Sequence, residues 1–488
     1  MKLATHYETA PQDRISFGRK LIYGSGAFVN NLLAAAIGGM IIVLNLGLGM
    51  NPALVGLLAA LPRLTDAFTD PIVGYISDHT RSRWGRRRPF IFIGAILAGL
   101  TYVVLWQLPP GWSDTAYFAY FLVASLVFYL AYTIFATPWV ALGYELTPDY
   151  HERTRLMGVQ NFIGQLAYLV SPWFLWLMQH EGWFGGDMLL GARWLAGFVA
   201  VVTIVIGVLP AIFLRERFSD TPELEPSAAA SRSLRDNLAD FFGGFLATLK
   251  VRPFLKLCAA TFLVFNGFML VSSFQNYVII YYVFGGDLVR GAEFSGYAGT
   301  ASAIGTFAVI VFVTWLATKI GKRRAFFVAI SVSIVGYAMK WPCYDPELPW
   351  LVVLPAPFIA FGLGGLFTLV GSMVADVCDV DALQRNERRE GMFGAIFWWV
   401  VKLGMAAALA GGGFLLNATG FDVELGGAQT AQTLLLMRIF DVVVPMISSG
   451  IAIWAVASYG LTEEVMQDVR KQLEAGHAAT DQAPLPDG

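Results

Sequence analysis

Two carboxylates four residues apart, Asp66 and Asp70, stand inside an apolar stretch long enough to cross a bilayer, in Arg63-Leu-Thr-Asp66-Ala-Phe-Thr-Asp70-Pro71. On a helix they share one face, one above the other. Ionisable groups at membrane depth are costly and mark a functional site by default. Two carboxylates one turn apart can share a Na⁺ or exchange a proton. Thr65, Thr69 and Thr137 are candidate oxygen ligands besides. The plainer alternative is a structural ion pair with Arg63 or Lys402. Lys402 is itself set in an apolar run, Trp398-Trp399-Val400-Val401-Lys402-Leu403. A lysine there must pair with a carboxylate or lose its proton. It reads either as a charge link to Asp66 or Asp70 that responds to cation occupancy, or as a side chain that snorkels to the surface.

The elements that must carry these residues are membrane helices. The chain has 488 residues, 56% hydrophobic and 14% charged, against about 25% charged in soluble chains. Repeated apolar runs of about 20 residues point to a polytopic α-helical membrane protein. Twelve spans are expected, at 17–46, 52–78, 88–108, 115–144, 155–180, 193–214, 253–284, 293–318, 323–342, 349–382, 388–417 and 431–460. They form an N-terminal bundle (1–214) and a C-terminal bundle (251–461) of six helices each. A linker (215–250) joins them and a tail (462–488) follows. The linker contains Thr221-Pro-Glu-Leu-Glu-Pro-Ser, then an amphipathic helix over 233–250 from the spacing of Leu234, Leu238, Phe241, Phe245 and Leu249.

Loop charge sets orientation. Arg81, Arg83, Arg86, Arg87 and Arg88 follow the second span. Arg153 and Arg155 follow the fourth, Lys319, Lys322, Arg323 and Arg324 the eighth, and Arg385, Arg388 and Arg389 the tenth. The opposite loops 47–51 and 109–114 have no Lys or Arg. Both termini are therefore expected on the cytoplasmic side of a plasma (inner) membrane, with no cleaved signal peptide. A net charge of −2 gives no field for nucleic acid. Cys258, Cys343 and Cys378 match neither a disulfide framework nor a metal site. There is no Walker loop, no Ser/His/Asp grouping and no metal-ligand cluster, so an enzyme is not expected, and no cofactor beyond the coupling ion, H⁺ or Na⁺. The chain is expected to be monomeric.

Gly74-Tyr-Ile-Ser-Asp78-His-Thr-Arg81-Ser-Arg-Trp-Gly85-Arg-Arg-Arg resembles the loop signature of the major facilitator superfamily. Further stretches sharpen that likeness: Lys20-Leu-Ile-Tyr23-Gly24-Ser-Gly26, Asp66-Ala-Phe-Thr-Asp70-Pro71, Glu145-Leu-Thr-Pro-Asp149-Tyr-His-Glu152-Arg153 and Met373-Val-Ala-Asp376-Val-Cys-Asp379. Together they resemble the glycoside–pentoside–hexuronide:cation symporters of melibiose-permease type. The Gly-Arg-Arg-Arg-Pro form also resembles the neighbouring sucrose:proton symporters. The resemblance implies two pseudo-symmetric six-helix bundles, cation binding at Asp66 and Asp70, and an embedded lysine at Lys402. It also implies secondary transport of a glycoside, oligosaccharide or uronate by alternating access. Alternatives are a lysolipid carrier of the same fold and a non-transporting nutrient receptor. The chain departs from the melibiose-permease pattern at Asn31 and Ala136, where acids are expected, and at Gln160-Asn161, where an arginine is. Galactoside recognition does not carry over.

Candidate substrate contacts are Asn30, Asn31, Tyr132, Trp139, Gln160, Asn161, Gln165, Gln275, Asn276, Tyr277 and Trp398. Amides bind vicinal hydroxyls and aromatic rings stack on sugars, although polar side chains also bridge membrane helices. Asp78, Arg81, Arg86, Glu145, Asp149, Glu152, Arg153, Asp376, Asp379 and Asp381 read as a cytoplasmic gate, or else as a solvated charge belt.

Overall fold

The computed structural model describes residues 11–147, 149–216, 248, 250–385 and 390–461, with 464–466, 468, 469 and 472. The long helices are α1 (Phe17–Met40), α2 (Pro52–His79), α3 (Arg88–Leu105), α4 (Asp114–Glu145), α5 (Tyr150–Val170) and α6 (Met188–Gly207). They continue with α7 (Arg252–Tyr277), α8 (Leu288–Ile320), α9 (Lys322–Cys343), α10 (Pro355–Arg385), α11 (Glu390–Ala418) and α12 (Ala431–Ala457). Among the described residues, ten helices are long and apolar enough to cross a membrane. The helices α2 and α5 are outside that set, because the polar residues that make them chemically interesting lower their hydropathy. The expected amphipathic linker helix and most of the tail lie outside the described residues.

Local sequence explains where the helices begin. Asn51 caps α2 by accepting from the Ala53 N–H at 2.9 Å, with Pro52 at the first position. Asp149 accepts from the Glu152 N–H at 2.7 Å to cap α5, and Asp187 and Thr430 cap α6 and α12. The expected fifth span is interrupted: α5 ends at Val170 and gives way to a 3₁₀ turn, Ser171–Trp173, around Pro172. Past Tyr277, α7 continues as a π-helical turn, Val278–Val283.

By contact the chain divides into two units. One comprises Met1–Ser231, Phe284–Thr300 and Gly413–Gln429, the other Arg232–Val283, Ala301–Gly412 and Thr430–Gly488. In the first unit α3 packs on α4 and α6, α1 on α5 and α6, and α2 on α4. In the second, α9 packs on α10 and α12, and α7 on α12 and α10. The pairs α3–α4, α3–α6 and α1–α6 thus recur six helices later as α9–α10, α9–α12 and α7–α12. Small residues let these helices approach. Gly94 of α3 sits against the backbone of Ile134 and Phe135 on α4, where a Cβ would collide. In the second unit Phe254, Phe265, Phe326, Met373, Phe393 and Phe397 pack into one apolar core.

Candidate functional site

Pro62 and Pro71 bracket the charged part of α2. Each lacks a backbone N–H, so the Leu58 and Ala67 carbonyls lose their usual helical donor, the second of them between the two prolines. Asp66 is 2% exposed and Asp70 half-buried. The neighbouring α4 presents Tyr129, Tyr132 and Thr133 at spacings of three and four, hence on one face. The Thr133 hydroxyl donates to Asp70 Oδ1 at 3.1 Å and lies 3.4 Å from the Thr69 hydroxyl. The Thr69 hydroxyl also lies 3.3 Å from the Thr65 carbonyl, to which it donates, and Thr65 itself donates to the Pro62 carbonyl at 2.6 Å. Carboxylate and hydroxyl oxygens therefore converge on one stretch of α2, a donor set suited to a hard cation. Among the described residues no group of three or more His, Cys, Asp or Glu could hold a metal ion.

Arg63, one turn before Asp66, lays its guanidinium over the Tyr129 ring at 4.8 Å. It lies within electrostatic reach of Asp66, Tyr129, Tyr132 and Tyr168. The Tyr132 hydroxyl donates to Asn30 Oδ1 at 2.7 Å, and the Asn30 amide donates to Asn31 Oδ1 at 3.2 Å. Helices α1, α2 and α4 thus bring Asn30, Asn31, Arg63, Asp66, Thr69, Asp70 and Tyr132 into one polar neighbourhood.

The structure places two further sequence-derived residues of α4. Thr137, also expected among the cation ligands, is half-buried, with its methyl 3.6 Å from where a Cβ on Gly74 would stand. Thr133, one turn earlier, makes the contact with Asp70. Trp139 was expected to meet substrate. It is 2% exposed, donates its indole N–H to the Tyr23 carbonyl at 3.1 Å and stacks on the Tyr23 ring. It is a core residue, fitted against Gly26. On α5, Gln160 is half-buried and Asn161 exposed. In the second unit Gln275 and Asn276 are half-buried, and Tyr277 is buried and stacked on Tyr281 just before the π-helical turn. Such turns concentrate at functional positions. Trp398 is exposed and stacks on Phe367, and Lys402 is half-buried on α11.

At the basic-loop end of the first unit, Arg86 and Arg87 both pair with Glu145, the latter at 3.0 Å. Glu152 pairs with Lys20 at 2.7 Å and Arg155 at 3.2 Å, and accepts the Ile15 N–H at 3.0 Å. Burial pushes the Glu152 carboxyl up, but these donors together hold it below the usual carboxylate range. Arg153 donates to the Thr147 carbonyl at 3.1 Å, and Arg81 is exposed. In the second unit Lys322 pairs with Asp376 at 2.7 Å, and Asp379 is half-buried. The side chain of Asp78 lies outside the described residues. Each of these ion pairs joins elements of one unit. Their direct effect is to fix the loops of their own unit.

Sequence reasoning missed Thr133, Tyr129, Glu216 and a buried pair, Lys340–Asp441. The Glu216 carboxylate accepts the backbone N–H groups of Arg86, Arg87 and Arg88 at 2.9, 2.8 and 3.0 Å. Lys340 of α9 and Asp441 of α12 meet at 2.8 Å, each 1% exposed.

An isoprimeverose transporter of Lactiplantibacillus pentosus is 24% identical over 88% of this chain and 85% of its own length. A glucuronide carrier protein homolog of Escherichia coli is 24% identical over 87% and 88%. A sodium-dependent lysophosphatidylcholine symporter of Danio rerio is 24% identical over 97% and 92%. Among solved structures, a bacterial homolog of the human lysosomal transporter Spinster superposes with a TM-score of 0.62. It covers 90% of this chain and 96% of that one at 16% identity, a likeness of fold alone. The family described as MFS/sugar transport protein matches residues 22–463. With that match across nearly the whole helical region, the chain belongs to this family, whose members are membrane carriers and not enzymes.

Proposed function

We propose that this protein is a secondary active symporter that couples a cation, H⁺ or Na⁺, to uptake of a glycoside, oligosaccharide or uronate. The observation that carries the reading is the Asp66–Asp70 pair, with Thr133 donating to Asp70 and Thr69 beside it. Two carboxylates at membrane depth are expensive unless neutralised. A bound cation cancels charge there and lowers the cost of passing through a closed state, which is the physical content of coupling. Twelve spans, cytoplasmic termini and an inner-membrane location complete the reading. Lys402 is proposed as the embedded charge that responds to cation occupancy, and Gln275, Asn276 and Trp398 as further substrate contacts. The names of two relatives, an isoprimeverose transporter and a glucuronide carrier homolog, support a saccharide. The name of a third supports Na⁺ but favours a lysolipid as cargo. The polar neighbourhood of Asn30, Tyr132 and Asp70 suits hydroxyl-rich cargo better than an acyl chain.

The test is uptake of a labelled saccharide panel into proteoliposomes under an imposed Na⁺ gradient or pH gradient. One gradient should drive accumulation. Asp66→Asn and Asp70→Asn should abolish accumulation while leaving saccharide exchange. Full accumulation by both variants would sink the coupling role of the pair.

A further inference from the structure

The turn that ends α7 is π-helical without a local cause. Its sequence, Val278-Ile-Ile-Tyr-Tyr-Val283, holds no proline or glycine to interrupt the α ladder. β-branched and aromatic residues lower α propensity only slightly and do not call for a wider turn. Turns of this kind are rare. A contact from outside the segment therefore selects the register.

That contact is Arg438, two turns into α12. Its guanidinium lies 4.0 Å from the centroid of the Tyr282 ring and 4.4 Å from that of Trp341, near the end of α9. It donates to the Tyr282 hydroxyl at 2.7 Å and to the Trp341 carbonyl at 2.8 Å. Among the described residues no carboxylate lies within ion-pair distance of it, and Asp441, one turn on, is taken by Lys340. A planar cation suits this place, with rings to stack on and oxygens to donate to, where a compact ammonium would not. Tyr282, Trp341 and Arg438 all belong to the second unit. The clasp thus fixes the last residues of the π turn against α9 and α12.

A π turn holds one residue more than the α turn it replaces, and each residue of an α-helix turns the chain by about 100°. With Tyr282 held, a return to α geometry would rotate the chain before the turn by that angle. Gln275, Asn276 and Tyr277 stand there, the two amides half-buried and the tyrosine stacked on Tyr281. The register therefore decides which side of α7 the amides occupy.

We infer that Arg438 is a positioning residue for cargo binding: its clasp on Tyr282 holds α7 in the π register, and that register sets the angle at which Gln275 and Asn276 meet the cargo. The inference rests on the symport reading, in which those amides are substrate contacts, and adds the device that aims them.

The experiment uses the purified full-length protein. Hydrogen exchange in detergent reads the amides of 278–283. Counterflow in proteoliposomes reads half-saturation and maximal rate for labelled nitrophenyl glucosides, xylosides and glucuronides. Arg438→Gln removes the clasp, Tyr282→Phe keeps the ring and removes the acceptor, and deletion of Ile279 takes the extra residue out of the turn. Arg438→Gln should speed hydrogen exchange at 278–283 and raise the half-saturating saccharide concentration, each by about tenfold, with little change in maximal rate. Tyr282→Phe should move both in the same direction by about threefold, and it decides the matter if the other two variants unfold. The deletion should raise half-saturation as Arg438→Gln does. A clasp that is merely structural would lower thermal stability and the amount of folded carrier without moving half-saturation, and that result in both point variants overturns the inference. Unchanged hydrogen exchange at 278–283 in Arg438→Gln overturns it too, as does unchanged half-saturation in the deletion. All three results leave saccharide symport standing. A wild type that exchanges none of the saccharides overturns that reading and the inference together.

Discussion

Thr133 shows what a single residue adds to a pair of carboxylates. Its hydroxyl donates to Asp70 and lies against Thr69, so it orients one carboxylate oxygen and offers its own lone pairs nearby. Thr133→Val keeps the shape and removes the donor. The expected outcome is weaker cation activation, by about tenfold, with the maximal rate little changed. Initial uptake rates against Na⁺ or H⁺ concentration would check it, and an unchanged half-activation would remove Thr133 from the site. The sequence makes Asp66 and Asp70 conspicuous because charge is rare in an apolar run. It cannot select Thr133 over Thr137. The two lie one turn apart on the same face of α4, and only the height at which α4 packs on α2 chooses between them. Trp139 illustrates the same limit, since an aromatic in a span reads equally as a sugar platform or as core.

At the scale of elements, the basic loop and the start of α3 depend on a residue about 130 positions away. The Glu216 carboxylate takes the N–H of Arg86 in the loop and those of Arg87 and Arg88 at the start of α3, where a helix leaves donors without intrahelical partners. Negative charge at that end also suits the helix dipole. Gly85 turns the chain at φ +100°, and a Cβ there would come within 2.6 Å of the Glu216 carboxyl. The glycine and the run of arginines are legible as a tight cationic turn, but no local pattern announces their distant acceptor. Glu216→Ala should lower stability by about 1–3 kcal/mol and expose the loop to protease. Thermal unfolding in detergent and limited proteolysis would measure both, and a wild-type cleavage pattern would count against the cap. Glu152 supplies a pH dependence at the same end. Its folded carboxyl titrates below the ordinary range because Lys20, Ile15 and Arg155 donors outweigh burial. A depressed carboxylate stabilises the folded state at pH values above its unfolded pKa, about 4.3. That contribution fades as pH falls through the lower folded value. Acid below about pH 4 should therefore loosen the α1–α5 end first, and Glu152→Gln should remove that part of the pH dependence in hydrogen-exchange measurements on residues 13–20.

At the scale of the whole molecule, the embedded charges among the described residues fall into two kinds, and the difference is a prediction. Lys340 and Asp441 satisfy each other at 2.8 Å through both carboxylate oxygens, each 1% exposed, with the Lys340 ammonium 5.4 Å from the Tyr344 ring. A pair so closed, joining α9 to α12, has no route to a travelling ion and acts as a clasp within its unit. Arg63, Asp70 and Lys402 are instead partly accessible, and Asp66, though 2% exposed, stands one turn from Asp70 on α2. The two kinds look alike in sequence, because Lys340 and Asp441 are 101 residues apart and neither sits in a motif. They part company under substitution. Removing one member of a buried pair strands the other, at a cost of about 3–5 kcal/mol, whereas replacing both with apolar residues of similar size is close to neutral. Lys340→Met should therefore unfold readily, while Lys340→Met with Asp441→Leu should fold and still accumulate substrate against a gradient. Asp70→Asn should do the opposite, folding well and losing accumulation. Loss of coupled uptake in the stable double variant would move Lys340 and Asp441 from the clasp into the transport machinery.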